Sequence, residues 1–426
     1  VGAVRILALT ADERAMLDGR AGEGVAMAMR IIVALARVRG AAALVPVASV
    51  HVDSSLYHGR AGLDFVERLV GLGARAVVPT TLNVGSLDLL HPGVVRSDPA
   101  FPGIQDEGRA LMAACVALGG RATFTCAPYA VESRPALGTH IAWAESNAIV
   151  FANSVLGART DRYGDFLDLC AAVTARAPLA GFHLDEFRRG GHVYDCTGLP
   201  DAALRSEIGL GALGTLVGAG TGDVVPVLVG LPADTGEDLL KAFGAAAAAA
   251  GSVGMFHAVG VTPEAATLAE ATGGLEPLRH TVVGAGELRA ARDALSTLSS
   301  GPLDAVSVGT PHASLSELET LAASLRSAGH VTPGVDAWVS TGRGVLALAE
   351  RTGAADVIRE HGFWFVVDTC TYVTPILAPT ARRVMTNSGK WAHYAPANLG
   401  VEVAYAPLAD CVRSAVAGQV VRFDEW

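Results

Sequence analysis

The chain has 426 residues, 42 acidic against 32 basic side chains, and a formal net charge of −10, with 51% hydrophobic and 17% charged residues. That length calls for two or three lobes around a large interior, and the apolar content excludes a disordered chain. The acidic balance excludes nucleic acid as the main partner, and the best apolar run, 243–256, is mostly Ala and Gly and too short to span a membrane.

The start, VGAVRILALTADERAML, passes from a few apolar residues straight into charge and shows no signal peptide; the absence of an initiator Met suggests a processed or trimmed numbering. Thr10 and Glu13 have capping-box spacing, so a helix is predicted from Ala11. A second helix over 22–38 places Val25, Met29, Ile32 and Ala36 on one face. A buried strand over 43–50, a helix over 64–72 and a short strand over 76–78 follow. Strands are predicted again at 224–228, 254–258, 305–308 and 363–367, between helices at 239–250, 314–328 and 345–360. This alternation predicts an α/β fold with mainly parallel sheets flanked by helices. Gly-rich stretches at 218–222 and 273–286 suggest sub-lobes 1–222, 223–286 and 287–426.

In parallel sheets ligands gather at the carboxyl ends of strands. Four predicted strand ends carry polar clusters: His51 to Ser55, Thr80 to Asn83 with Ser86 and Asp88, Thr310 to Ser314, and Asp368 to Cys370. Capping accounts for any one of them, since Ser314 and Glu317 form a capping box, but their repetition favours a shared cleft. The stretch 126–165 adds a helix apolar on most sides that nevertheless holds Glu145, Ser146, Asn147, Asn153 and Ser154 and leaves through Gly157, Ala158, Arg159 and Thr160. Buried polar groups need partners, so this block predicts the floor of a polar pocket. The plainer reading is a helix whose amides tie loops together. Six cysteines, at 115, 126, 170, 196, 370 and 411, form no C-x-x-C pair, which points to reduced thiols in the cytoplasm and to any metal site being assembled from distant residues.

CAPY at 126–129 followed by GTHIAWAESNAIVFANSVLGART at 138–160 resembles the signature of the aconitase X family catalytic subunit. PTTLNVGSLD at 79–88, GFHLDEFR at 181–188, FHAVGVTPEA at 256–265, VGTPHASLSELE at 308–319, VVDTC at 366–370 and MTNSGKWAHYAP at 385–396 agree in order, so the resemblance covers nearly the whole chain. It implies an aconitase-like, multi-lobed catalytic body working with a small swivelling domain, fused in some members and a separate subunit in others; this chain is read as the large subunit, with the small one as its partner. Family members are dehydratases of cis-3-hydroxy-L-proline, giving Δ1-pyrroline-2-carboxylate, or of mevalonate 5-phosphate. The GTPHAS and DTCTYVTP forms resemble the amino-acid branch. A non-catalytic binding or scaffold homologue is the reading from another class.

The resemblance also implies iron, as an iron–sulfur cluster or a single ion, on Cys126 and Cys370. For the third ligand, relatives often have Cys where this chain has Ser55, or where it has Thr310. Serine is a poor substitute for thiolate. An altered cluster, an introduced change at Ser55, and replacement by Cys196 or another thiol are all open on sequence alone. Dehydration beside a carboxylate calls for a Lewis acid and a placed base. The acid/base candidates are Glu145 and His312, with Lys390 either catalytic or a solvated helix-start residue. Asn83, Arg159 and Lys390 are candidate carboxylate clamps, Arg159 alternatively pairing with Asp161 or Asp165. Asp53, Ser54, Ser146, Asn147 and Thr160 complete the expected substrate contacts, and His51 is an orienting group or a satisfied core histidine. The family further implies that the base can be a Ser of the small subunit.

Overall fold

The computed structural model describes residues 6–96, 103–423 and 426; residues 1–5, part of the stretch read for a leader, lie outside the described residues. Three mainly apolar bodies each contain a parallel sheet. In the first, strands run in the order Thr80–Leu82, Val50–Val52, Ala142–Trp143. The second has His257–Ala258, Val225–Val229, Gly190–Asp195 and Arg279–Val282. The third has Phe363–Val366, Asp336–Thr341, Ala305–Ala313, Arg383–Thr386 and Glu402–Tyr405. Helices flank these sheets, so the expected α/β architecture holds. Among the described residues no helix is long and apolar enough to cross a membrane.

Several elements differ from the reading by sequence. The strand expected over 43–50 is two short strands. Leu44–Pro46 pairs antiparallel with Arg176–Pro178, and Val50–Val52 enters the parallel sheet. Pro46 carries no N–H for a continuous ladder. The strand expected at 76–78 lies four residues on, at Thr80–Leu82, where Val50 N–H finds the Pro79 carbonyl. The helix expected over 345–360 breaks at Gly353, which takes φ 77° and separates Arg343–Thr352 from Ala354–Glu360. The division expected at residue 222 falls inside one body: strands from both sides of it pair in the second sheet, and 218–221 is the last turn of helix Glu207–Thr221.

Helices Glu207–Thr221 and Glu237–Gly251 pack closely enough to need glycine at their crossing. A Cβ on Gly218 would sit 2.5 Å from the Ala247 carbonyl oxygen, which is helix backbone and cannot swing away. The Ala run 245–250 is thus a tightly packed face rather than a linker, and the same helix also packs on Ser146–Ser154 and Gly389–Leu399. Gly218→Ala is expected to destabilise by about 1–3 kcal/mol through overpacking, read as a lowered thermal midpoint; an unchanged midpoint would contradict this packing.

Candidate functional site

Three neighbouring parallel strands of the first sheet deliver three side chains to one place. Val52 is in register with Leu82, so Asp53 and Asn83 are the next residues out, tied by the Asn83 N–H to the Val52 carbonyl (2.8 Å). His51 is in register with Trp143, two residues before Glu145. The segment 121–126 runs beside Thr80–Leu82, with the Arg121 N–H on the Thr80 carbonyl and the Thr125 N–H on the Leu82 carbonyl, and so places Cys126 at the same end. From the third sheet come His312, within Ala305–Ala313, and Cys370, just past Phe363–Val366. Lys390 lies in the first turn of helix Gly389–Leu399, capped by Ser388, after strand Arg383–Thr386.

At this junction Lys390 Nζ lies 2.6 Å from Glu145 Oε1, both side chains being 5% exposed. Lys390 is therefore a buried ion-pair partner, not a solvated helix start. Ser146 Oγ donates to Glu145 Oε1 (3.2 Å) and accepts from Lys390 (3.3 Å), while Glu145 Oε2 takes the Ala148 N–H (2.6 Å) as N-cap of Ser146–Ser154. Burial works against both charges. The Lys390 ammonium and the capping amides nevertheless hold the Glu145 carboxyl below its usual range, and Glu145 holds Lys390 well above its own. Both Glu145 oxygens are engaged and its affinity for protons is lowered, so the expectation that it acts as acid or base gives way to one in which it fixes Lys390.

Cys126, His312 and Cys370 offer ligand atoms within 4.8 Å of one another, all buried. The two buried thiols act on each other: Cys370 beside it lowers the Cys126 thiol, and Cys126 together with burial raises Cys370. The His312 N–H adds a bond to Cys126 Sγ (3.2 Å). His312 Nε2 meets the Thr369 carbonyl (3.1 Å) and therefore carries the proton, leaving Nδ1 to accept from Thr125 Oγ1 (3.0 Å). With both ring nitrogens engaged and the ring buried, His312 orients the thiol-bearing loops and is not placed as a free acid or base. Ser55 Oγ donates to the Asn83 carbonyl (2.9 Å), and Val84 beside it packs on both thiols. Ser55 thus borders the thiol pair without presenting a free lone-pair donor comparable to thiolate. Cys196 lies in the core of the second body and cannot replace it; Cys115 and Cys170 are in the first core and Cys411 in the third.

The rest of the expected contacts divide sharply. Asn147 Nδ2 holds the Cys126 carbonyl (3.0 Å) and Tyr129 Oη (2.8 Å). Asn147 Oδ1, Asn83 Oδ1, His51 Nε2 and the Trp143 indole N–H are buried without a partner among the described residues. Burial lowers His51 to about 4, so the ring is neutral, with Nδ1 on Thr81 Oγ1 (2.8 Å). Asp53 pairs with the Asn83 amide, and burial together with the Glu145 and Asp165 charges raises it to about 7. Ser54, by contrast, is structural. Its hydroxyl donates to Asp168 Oδ1 (2.7 Å) and accepts from the Phe166 N–H (2.9 Å). Asp168 also takes the Asp53 and Ser54 N–H groups (2.7 and 3.0 Å). Sequence reasoning missed Asp168, although an acid inside the apolar run LDLCAAV was a visible signal.

Thr160 and Arg159 are displaced from the site altogether. Thr160 Oγ1 accepts from Trp143 N–H (3.0 Å) and donates to backbone, and its own backbone is clasped by Asn153 (2.9 and 3.0 Å). Arg159 bridges to His140, five residues before Glu145, at the opposite end of strand Ala142–Trp143, roughly 15 Å away at the rise of extended chain. Its guanidinium pairs with Asp185 and the His183 carbonyl (3.1 Å), not with Asp161 or Asp165.

Family models for the first, second and third domains of aconitase X match residues 6–186, 192–293 and 303–417. The chain belongs to the aconitase X family. This family member is 42% identical, over 96% of its length and 70% of the relative's, to a cis-3-hydroxy-L-proline dehydratase of Pseudomonas aeruginosa. A Hypocrea jecorina protein of the same name is 39% identical. A phosphomevalonate dehydratase large subunit of Methanothermobacter thermautotrophicus is 35% identical, and there the match takes in 98% of the relative. The crystal structure of Thermococcus kodakaraensis aconitase X (holo-form) superposes with a TM-score of 0.85 at 31% identity, over 96% of this chain and 100% of that one.

Because Arg159 faces an exposed Asp185 away from the junction, Arg159→Lys is expected to keep kcat/KM within about twofold and to lower stability by at most ~1 kcal/mol. A tenfold loss of kcat/KM with an unchanged thermal midpoint would put the arginine back in the site.

Proposed function

We propose that this chain is the large catalytic part of a dehydratase that removes water from cis-3-hydroxy-L-proline to give Δ1-pyrroline-2-carboxylate. The observation that carries the reading is one buried ammonium, Lys390, fixed by Glu145 beside two buried thiols where two sheets meet by their carboxyl ends. The two relatives of that name, at 42% and 39% identity, stand above the phosphomevalonate dehydratase large subunits, at 33–35%. Mevalonate 5-phosphate is the second substrate reading, supported by the near-complete match to those separate large subunits.

The donors suit a thiophilic metal. Cys126 is biased toward thiolate, Cys370 lies against it, and no other thiol among the described residues shares the site. Iron, as a single ion or a cluster, would be held by these two cysteines and would supply Lewis acidity toward the leaving hydroxyl. Lys390 binds the substrate carboxylate and stabilises the negative charge that spreads onto it as the α-proton leaves; the C–H pair becomes the Cα=Cβ bond, the hydroxyl departs as water with one added proton, and the resulting enamine loses its N–H proton and gains one at Cβ to give the Δ1 imine. Glu145 and Ser146 hold the ammonium at the place where that charge develops, which makes it worth more than in water. Glu145 and His312 are both engaged, and the family resemblance implies that the abstracting base is a Ser of the small subunit or further domain that completes the site. Residues Asn147 and Thr369 keep the thiol-bearing loops in place through backbone contacts. Six unpaired thiols fit a reducing compartment, the cytoplasm.

The test is product formation from cis-3-hydroxy-L-proline and from mevalonate 5-phosphate, by the chain alone and with its small subunit, alongside iron analysis of wild type and Ser55→Cys. The expected results are turnover of the hydroxyproline only with the small subunit, and more iron per chain in Ser55→Cys. Turnover of the phosphate alone would replace the substrate; unchanged iron in Ser55→Cys would remove Ser55 from the metal's surroundings; turnover of neither by a metal-loaded complex would favour a non-catalytic homologue.

A further inference from the structure

Asp53 stands out in charge. It is a half-buried carboxylate with Glu145, Asp165 and Asp168 as charged neighbours, and the ammonium held by Glu145, Lys390, is already paired. Among the described residues its carboxylate has no ion-pair partner, and its side-chain contact is the Asn83 amide N–H on Oδ1, which leaves Oδ2 without a donor. A half-buried carboxylate among like charges and without a counter-ion is costly, and the cost falls when a cation arrives.

Asn83 points to the same conclusion independently. The residue is 3% exposed, and among the described residues Oδ1 has no partner. The amide orientation is set by Asp53, because a flipped amide would put oxygen against a carboxylate. One of the two Asn83 amide N–H groups is thus spent on Asp53. Asn83 carries an unpartnered carbonyl oxygen on the same amide group that touches Asp53, so the hydrogen-bonded pair holds two unused acceptors, Asp53 Oδ2 and Asn83 Oδ1. The pairing is built into the sheet, since these are the residues that follow the registered pair Val52 and Leu82.

We propose that Asp53 and Asn83 form a subsite for the ring ammonium of a cyclic imino acid, an assignment that rests on the dehydratase reading above. A secondary ammonium in a five-membered ring has two N–H donors and one positive charge. Asp53 takes the charge and one donor, and Asn83 Oδ1 takes the other. With Lys390 on the carboxylate, the zwitterion is held at both ends and its Cα is fixed between the ion pair and the thiols. A phosphorylated hydroxy acid brings no N–H and two further negative charges, which Asp53 repels. The pair is thus the determinant that separates the two substrate classes.

Binding without turnover isolates this role. The test measures calorimetrically how the full chain, loaded with metal, binds L-proline and (S)-tetrahydrofuran-2-carboxylate, which replaces the ring ammonium by an ether oxygen. Wild type is expected to prefer proline by about tenfold or more, the size of a charge-assisted hydrogen bond, and Asp53→Asn and Asn83→Leu to shrink that preference to about threefold or less. Equal affinity of the two ligands in wild type overturns the subsite and leaves the dehydratase reading intact, a comparison that needs no variant to fold. An Asp53→Asn chain that loses turnover but keeps the preference makes Asp53 a base instead and also overturns it. If neither ring ligand binds while mevalonate 5-phosphate does, the substrate reading fails and the subsite with it.

Discussion

The salt bridge between Lys390 and Glu145 is the constraint around which the junction is arranged. The two residues are 245 apart in sequence and come from different bodies, yet they meet at 2.6 Å almost out of contact with water. A buried pair of this kind is weak support for stability, because desolvating two charges offsets most of their attraction. Its geometry is maintained by further contacts: Glu145 caps a helix, Ser146 bridges both partners, and Ser388 caps the helix that carries the lysine. The result is a fixed positive charge in a dry place. Such a charge does little for the fold and much for a reaction in which negative charge builds up on a carboxylate.

The buried polar groups of the first body fall into two kinds. Asp168, Ser54, Thr160 and Asn153 are saturated by protein partners and hold loops in place. Asn83 Oδ1, Asn147 Oδ1 and His51 Nε2 are buried and unpartnered. Native interiors seldom leave such atoms without a partner, so these three, on the strands and helix that lead to the ion pair, are open to a ligand. The thiol pair lies beside the same region, tied to it through the Asn147 contact with the Cys126 carbonyl.

Much of this was legible in the sequence, and the misses have physical causes. Alternating strands and helices gave the α/β class, and polar clusters after strands located Asp53, Asn83, His312 and Cys370, because parallel sheets present their carboxyl ends together. The buried polar helix was half right. Its beginning, Glu145 to Asn147, serves the site, whereas its end, Asn153 to Thr160, serves the structure; periodicity cannot distinguish the two, because every face is buried. Arg159 was misplaced because nothing local shows which end of a two-residue strand a following loop returns to. Glu145 and His312 looked like free acid/base groups because sequence shows residue type but not the partners that engage it. Lys390 was ambiguous for the same reason: its burial depends on a glutamate from another body.

The claim that the ion pair exists for chemistry is tested most directly by the double variant Glu145→Gln/Lys390→Met, which removes both charges together and leaves no buried charge stranded. Turnover of cis-3-hydroxy-L-proline and the thermal midpoint should be measured on one preparation, together with the small subunit. The account predicts a loss of turnover of about a thousandfold or more, the scale of a lost preorganised charge, with a midpoint at or above that of wild type. Turnover within about tenfold of wild type, or a collapsed fold, would contradict it.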